Sequence, residues 1–184
     1  MVQLKKYILK LFLFFCILLT PLFAFSFSEC PDDVTEFWDN CLGSYLYPDG
    51  EMYSGEWKNN LYNGQGFIFY QNGDRYFGEF KDEKREGKGT YILKSGDTYT
   101  GDWVQGKRHG NGTYAHVFGE WENDIYVGEF YENKKQGKGL YTFPDGVKYS
   151  GLFHDDLRHG NGRFIYEDGS SMEVNCVKDS CIEK

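Results

Sequence analysis

The feature that most constrains this chain is a tyrosine-led pattern that returns in register. It opens at Tyr53 to Arg75, YSGEWKNNLYNGQGFIFYQNGDR, and comes back at Tyr76, Tyr99, Tyr126 and Tyr149, at spacings of 23, 23, 27 and 23 residues. A fixed short period dictates a stack of like units, each burying its apolar face against its neighbours. Within a unit the side chains alternate with period two. Tyr53, Gly55 and Trp57 share one face, and Ser54, Glu56 and Lys58 the other. Asn59 to Asn63 reads as a loop, and a second strand runs through Gly64, Gly66, Ile68 and Tyr70. Gln71-Asn72-Gly73-Asp74 reads as the return turn, because Asn-Gly supplies the positive φ that a tight turn needs. Each unit is therefore expected to be a β-hairpin. Glycines that share a face with aromatics leave room, for want of a Cβ, for a ring to lie flat on the backbone. Two aromatic columns follow. One is Tyr53, Tyr76, Tyr99, Tyr126 and Tyr149; the other is Trp57, Phe80, Trp103, Phe130 and Phe153.

At these residues the chain resembles the MORN repeat family, whose unit reads Tyr-x-Gly-Glu-Trp, a loop, Gly-x-Gly and a Gly-containing turn. Five copies cover residues 53–171, in the manner of a small exported, bacterial-type member. The resemblance implies an all-β fold: a single-layer, elongated antiparallel β-meander of repeated hairpins. With strands about 4.8 Å apart, five copies would extend a ribbon by about 50 Å. The resemblance also implies a binding or scaffolding role, since family members are mostly protein-interaction or membrane-associated modules. Some members carry the repeats beside a lipid-kinase domain. A chain of 184 residues has no room for one, so no kinase activity carries over.

Residues 1–26 read as a separate object. Lys5, Lys6 and Lys10 form a basic head, Leu11 to Leu19 is apolar, and Ala24 and Ser26 are small. This is the pattern of a secretory signal peptide, expected as an N-terminal signal helix. The alternative is a retained anchor over residues 7–27. Both readings put the repeats outside the cytosol, periplasmic, secreted or tethered. Without the three leader lysines, 17 basic residues face 28 acidic ones, a net charge of −11. That excludes nucleic acid as a bulk electrostatic partner. Cys16 lies in the leader, which leaves Cys30, Cys41, Cys176 and Cys181. The two pairs lie at opposite ends of the ribbon, beyond disulfide reach, so Cys30–Cys41 and Cys176–Cys181 are the expected bridges.

The ends read as caps. In residues 27–52, Cys41, Gly43 and Tyr45 align with Gly64, Gly66 and Ile68, half a repeat. Asp33 to Trp38 reads as a short helical turn, with Phe37 and Trp38 covering the first aromatic column. In residues 172–184, Cys176 stands where an aromatic would be, and one closing strand is expected, pinned by Cys181. The irregular stretch Ala115 to Ile125 adds four residues. It reads either as a hairpin longer by two residues per strand, or as a truncated copy with Phe118-Gly119-Glu120-Trp121 as an extra strand. The first keeps Lys84 and Lys135 on one edge; the second moves them apart.

Few residues offer chemistry. Glu56, Glu79, Asp102 and Glu129 recur at one position, with Leu152 in the fifth copy, and read as a solvated column paired with Lys58 or Lys81 rather than as glycosidic acids. His109, His116, His154 and His159 read as loop histidines. The Gly-x-Gly pattern precedes no helix, so no phosphate cradle is expected. No catalytic, cofactor or metal residues are therefore expected. Lys84, Arg85, Lys107, Arg108, Lys134, Lys135 and Arg158 mark a candidate basic interaction edge. Asp49, Asp74, Asp97, Asp145 and Asp168 mark an opposite acidic one. The function expected is a non-catalytic module that binds a protein partner through a grooved aromatic face or that basic edge. The alternative is a binder of envelope polysaccharide or lipid headgroups through the same rings.

Overall fold

The structure is a computed structural model that describes residues 27–184. The leader expected over residues 1–26, and the alternative anchor over 7–27, fall almost wholly outside the described residues. The described chain is one 14-stranded sheet in which every strand pairs with its sequence neighbours, and it contains no helix. The strands are β1 (Ser28–Glu29), β2 (Cys41–Leu46), β3 (Met52–Lys58), β4 (Leu61–Phe69), β5 (Arg75–Lys81), β6 (Lys84–Ile92), β7 (Thr98–Val104), β8 (Lys107–Ala115), β9 (Ile125–Tyr131), β10 (Lys134–Thr142), β11 (Lys148–His154), β12 (Leu157–Ile165), β13 (Ser171–Val177) and β14 (Ser180–Glu183). Only β1 and β2 pair in parallel; the rest is an antiparallel meander.

The core is the expected tyrosine column. Glycines face glycines across the strands, as in Gly43↔Gly55↔Gly66↔Gly78↔Gly89↔Gly101. Each tyrosine lies over two of them. A Cβ added at Gly66 would run into the Tyr53 ring and hydroxyl, and one at Gly55 into that hydroxyl and the facing Gln65–Gly66 backbone. The five tyrosines are at most 1% exposed. Each hydroxyl is satisfied by a backbone carbonyl three residues on. Tyr53 donates to Glu56 at 2.8 Å, Tyr76 to Glu79 at 3.0 Å and Tyr99 to Asp102 at 2.9 Å. The first four rings each also meet two others edge-on, and Tyr149 meets Phe153 so. Tyr53 sits 5.1 Å from Trp57 and 5.3 Å from Phe80, and Tyr76 sits 5.0 Å from Phe80 and 5.3 Å from Trp103. The column is thus one continuous edge-to-face chain, an arrangement that adds to simple burial.

The turns lie elsewhere than Asn72-Gly73 suggests. The two-residue turns are Asn59-Asn60, Asp82-Glu83, Gln105-Gly106, Glu132-Asn133, Asp155-Asp156 and Lys178-Asp179, all with positive φ. The strands therefore reach further into the expected loops, such as Asn59–Asn63. Asn72-Gly73 belongs instead to a wider return, Tyr70–Asp74, closed by the Tyr70 amide donating to the Asp74 carbonyl at 2.9 Å. A left-handed non-glycine residue costs about 1–2 kcal/mol. Here the second turn residue is held by the previous repeat. Asn60 N–H donates to Trp38, Glu83 to Tyr62, Gly106 to Arg85, Asn133 to Arg108, Asp156 to Lys135 and Asp179 to Arg158.

The four extra residues before Tyr126 form neither longer strands nor an extra strand. β8 and β9 pair directly, Ala115 opposite Ile125, and the insertion stays within the return His116–Asp124. Lys84, first in β6, and Lys135, second in β10, therefore lie at the start of strands of the same direction on the same edge.

The N-terminal cap pairs as the expected half repeat, Cys41↔Trp57, Gly43↔Gly55 and Tyr45↔Tyr53. Trp38 packs edge-on at 4.8 Å from Trp57 and is buried, whereas Phe37 is 61% exposed, so only one of the two expected rings covers the column. Asp33 to Trp38 holds a turn rather than a helical segment. The C-terminal cap has two strands, not one, because Lys178-Asp179 repeats the tight turn. Both expected bridges are present, Cys30–Cys41 and Cys176–Cys181, with Cα atoms 4.9 and 4.0 Å apart.

Gly89 lies under Tyr76, with that ring and hydroxyl where a Cβ would go. Gly89→Ala is expected to cost about 3 kcal/mol by overpacking. Urea denaturation of the variant measures this, and a change within error of zero would remove the ring-on-glycine account.

Candidate functional site

The aromatic face is closed by its own side chains. Opposite Trp57, Phe80, Trp103, Phe130 and Phe153 stand Tyr62, Arg85, Arg108, Lys135 and Arg158. In the first repeat Tyr62 stacks on Tyr53 at 3.9 Å. In the others a cation takes that place. The Arg85 guanidinium lies 4.8 Å from the Tyr91 ring centre and 4.5 Å from Trp103, and Lys135 Nζ lies 4.6 Å from Tyr141. Burial pushes the Lys135 ammonium below its ordinary value, against the pull of Asp156 and Asp124. Cations over aromatic faces contribute about 0.5–2 kcal/mol each.

The structure thus divides the seven expected edge cations. Arg85, Arg108, Lys135 and Arg158 roof the aromatic column, half-buried. Lys84, Lys107 and Lys134 remain exposed on the turn edge, but each meets the next turn. Lys84 donates to Gln105 at 2.8 Å, Lys107 faces Glu132 at 3.2 Å, and Lys134 meets Asp155 at 3.0 Å. The edge is a ladder of exposed pairs in which Lys107 and Lys134 meet acids and Lys84 a neutral amide.

The recurring acids have a structural task, and Lys58 and Lys81 are not their hydrogen-bond partners. Each second strand carries a bulge, so that one residue, Glu56, faces three, Asn63, Gly64 and Gln65. Gly64 takes φ of 62° there. The Glu56 carboxylate accepts the Gln65 amide at 2.9 Å. Glu79 does the same for Lys88, Asp102 for Asn111 and Glu129 for Lys138. Leu152 leaves the fifth bulge without this bond. His109 and His159 lie in bulged strands β8 and β12, not in loops. His116 Nδ1 is 3.3 Å from Asp97, at the base of the insertion. Among the described residues, no group of three His, Cys, Asp or Glu is placed to hold a metal.

Sequence reasoning missed two features. One is a clasp on the return edge. Tyr91 donates to Asp74 at 2.6 Å and Tyr141 to Asp124 at 2.7 Å. Asp74 and Asp124 sit just before Arg75-Tyr76 and Ile125-Tyr126, so the repeated Asp–Tyr spacing could have disclosed the pairs. The other is an open trough of about 670 Å³ on the face away from the tyrosines. It crosses β4 to β9 and is floored by glycine backbone. Its walls are a row in register, Phe77↔Thr90↔Thr100↔Thr113↔Val127. The Thr90 and Thr100 hydroxyls bond at 2.9 Å, while Phe77 and Val127 at the two ends are 46% and 47% exposed. Alternation announces this face, but the open glycine floor depends on where the rings go.

The MORN repeat pattern matches residues 53–75, 76–98, 99–116, 126–148 and 149–171. The third match stops where the insertion starts. No curated protein sequence matches the chain. A similar solved structure is the SAS-4 (dCPAP) TCP domain of Drosophila melanogaster, in complex with a proline-rich motif of Ana2 (dSTIL). It is 16% identical, with a TM-score of 0.43 over 85% of this chain and 86% of that one.

Two aspartates, Asp74 on the return edge and Asp102 at a bulge, tie the stability of the sheet to pH. Burial raises Asp74, but bonds from Tyr91, the Lys94 amide and Asn72 outweigh it and hold its carboxyl below the ordinary carboxylate value. At Asp102, burial is outweighed by Lys88 and the Asn111 amide. Both hold a proton less readily when folded. Their contribution is complete above the ordinary carboxylate value and is lost as pH falls through the lowered one. The urea midpoint should fall between about pH 5 and pH 3, and less steeply in Asp74→Asn.

Proposed function

The chain belongs to the MORN-repeat family, and on that premise we propose that it is an exported, non-catalytic module that holds a protein partner in the trough on its open face. The supporting observation is the contrast between its two faces. On one, the rings are fully consumed by the protein's own core and roofed by Arg85, Arg108, Lys135 and Arg158. On the other, Phe77 and Val127 stand half-exposed at the ends of a hydroxyl-lined, glycine-floored channel. Exposed apolar ground of this kind on an otherwise polar surface marks interaction sites. An extended segment laid across the strands would meet an apolar contact at each end and threonine hydroxyls between.

Two disulfides are compatible with the oxidising surroundings of an exported protein, and the bacterial-type form of the family is part of the same proposal. The recurrent acids favour binding over catalysis, since each engages a bulge amide. A glycan or lipid headgroup reading draws no support from the tyrosine rings, which are buried.

Phe77→Asp with Val127→Asp should weaken capture of a cognate protein from the native envelope at least tenfold, with the urea midpoint lowered only modestly, because both side chains are half-exposed and Phe77 gives up one ring contact, with Phe67 at 4.6 Å. Lys84→Ala with Lys107→Ala is the control on the basic edge and should leave capture intact. Undiminished capture by the trough variant, together with loss in the edge variant, would transfer the site to the edge.

A further inference from the structure

The return edge carries a clasp in its middle repeats that is missing at both ends: Ile68 replaces the donor opposite Glu51, and at the C-terminal end, where both partners are replaced, a pocket opens. Asp74 is held by Tyr91 and Asp124 by Tyr141, each 17 residues on. Asp97 and Tyr114 stand in the same register, where Asp97 also meets His116 at 3.3 Å and the Val117 amide at 3.0 Å. The next pair in register is Val147 and Phe164, so donor and acceptor are lost together. There a pocket of about 380 Å³ lies open, lined by Phe143, Asp145, Val147, Phe164, Tyr166 and Met172. Met172 also stands where a further repeat would place its tyrosine. The Phe143 and Phe164 rings stand 6.4 Å apart at 26°.

The geometry points to this pocket as the receptor for a tyrosine side chain on a basic segment of the protein partner, restoring in trans the clasp that Val147 and Phe164 have lost. This rests on the reading of the chain as a protein-interaction module. Three observations select that guest. The walls are apolar and aromatic, as a phenol ring requires. Asp145 accepts the Val147 amide at 3.1 Å, and a carboxylate has capacity for further donors, so it can take a phenol O–H as Asp74 and Asp124 do. Arg158 already lies 6.0 Å from the Phe143 centre and 5.6 Å from Phe164, tied to Asp179 at 2.9 Å, which disfavours a second cation inside. The mouth is acidic instead. Glu167 lies against Gly146, and Asp168 stands in the adjoining return. Charge complementarity therefore puts the basic residues of the guest on either side of its tyrosine, outside the pocket.

The test titrates the full chain with synthetic Lys-Lys-Tyr-Lys-Lys, its phenylalanine counterpart, and Glu-Glu-Tyr-Glu-Glu, following the Met172 methyl resonance. The tyrosine peptide is expected to shift that resonance and to bind roughly tenfold more tightly than the phenylalanine one, the worth of one hydrogen bond to a charged acceptor. The acidic peptide should bind more weakly still. Val147→Asp with Phe164→Tyr rebuilds the clasp; it should abolish binding while the urea midpoint holds or rises. Equal binding of the first two peptides, no shift at Met172, or unchanged binding by the double variant would overturn the proposal. If these peptides fail while capture still depends on Phe77 and Val127, the pocket assignment falls and the trough stands. If capture ignores the trough variant but the tyrosine peptide behaves as expected, the reverse holds.

Discussion

A tyrosine ring resting on two facing glycines is the contact from which the other features follow. A single-layer sheet has no second layer to bury against, so each ring must find its core in the backbone beneath it. The absence of Cβ atoms at Gly55 and Gly66 lets the Tyr53 ring descend to that backbone, and the Glu56 carbonyl takes its hydroxyl. That bond fixes the peptide of Glu56, whose side chain, on the other face, accepts the amide of the bulge at Gln65. One ring therefore sets the strand register on its own face and the bulge on the opposite one.

The bulge in turn decides what covers the rings. It shifts the start of each second strand so that Arg85, Arg108, Lys135 and Arg158 come opposite Phe80, Trp103, Phe130 and Phe153. Their cations fold back over aromatic faces instead of reaching outward. With one face closed in this way, the open glycine-floored face is left for contact with other molecules.

The tyrosine and glycine columns, the half repeat at Cys41 to Tyr45 and both disulfides were legible in the sequence, because each follows from period and parity alone. The tight turns were not. Asp82-Glu83 looks like an ordinary solvated pair, and its positive φ is sustained by the Tyr62 carbonyl of the preceding hairpin, a non-local cause. Asn72-Gly73 has the local chemistry of a tight turn yet closes the wider return. Arg85 looked like an edge residue because its position matches Tyr62, inside the expected loop Asn59–Asn63, whereas the strand that carries it over the rings begins at Lys84. The trough was hidden for a related reason: its floor is glycine, whose meaning on one face was clear and on the other was empty space.

The turn latches all point the same way. Asn60 reaches back to Trp38, Glu83 to Tyr62, Gly106 to Arg85, Asn133 to Arg108, Asp156 to Lys135 and Asp179 to Arg158. Every acceptor thus belongs to a hairpin nearer the amino terminus than its donor. A chain that emerges amino-terminus first can accordingly assemble one hairpin at a time, each newcomer finding its template already in place, and growth is vectorial. The hairpin turned at Lys178-Asp179 carries a clamp of another kind, the covalent link between Cys176 and Cys181 across its two strands.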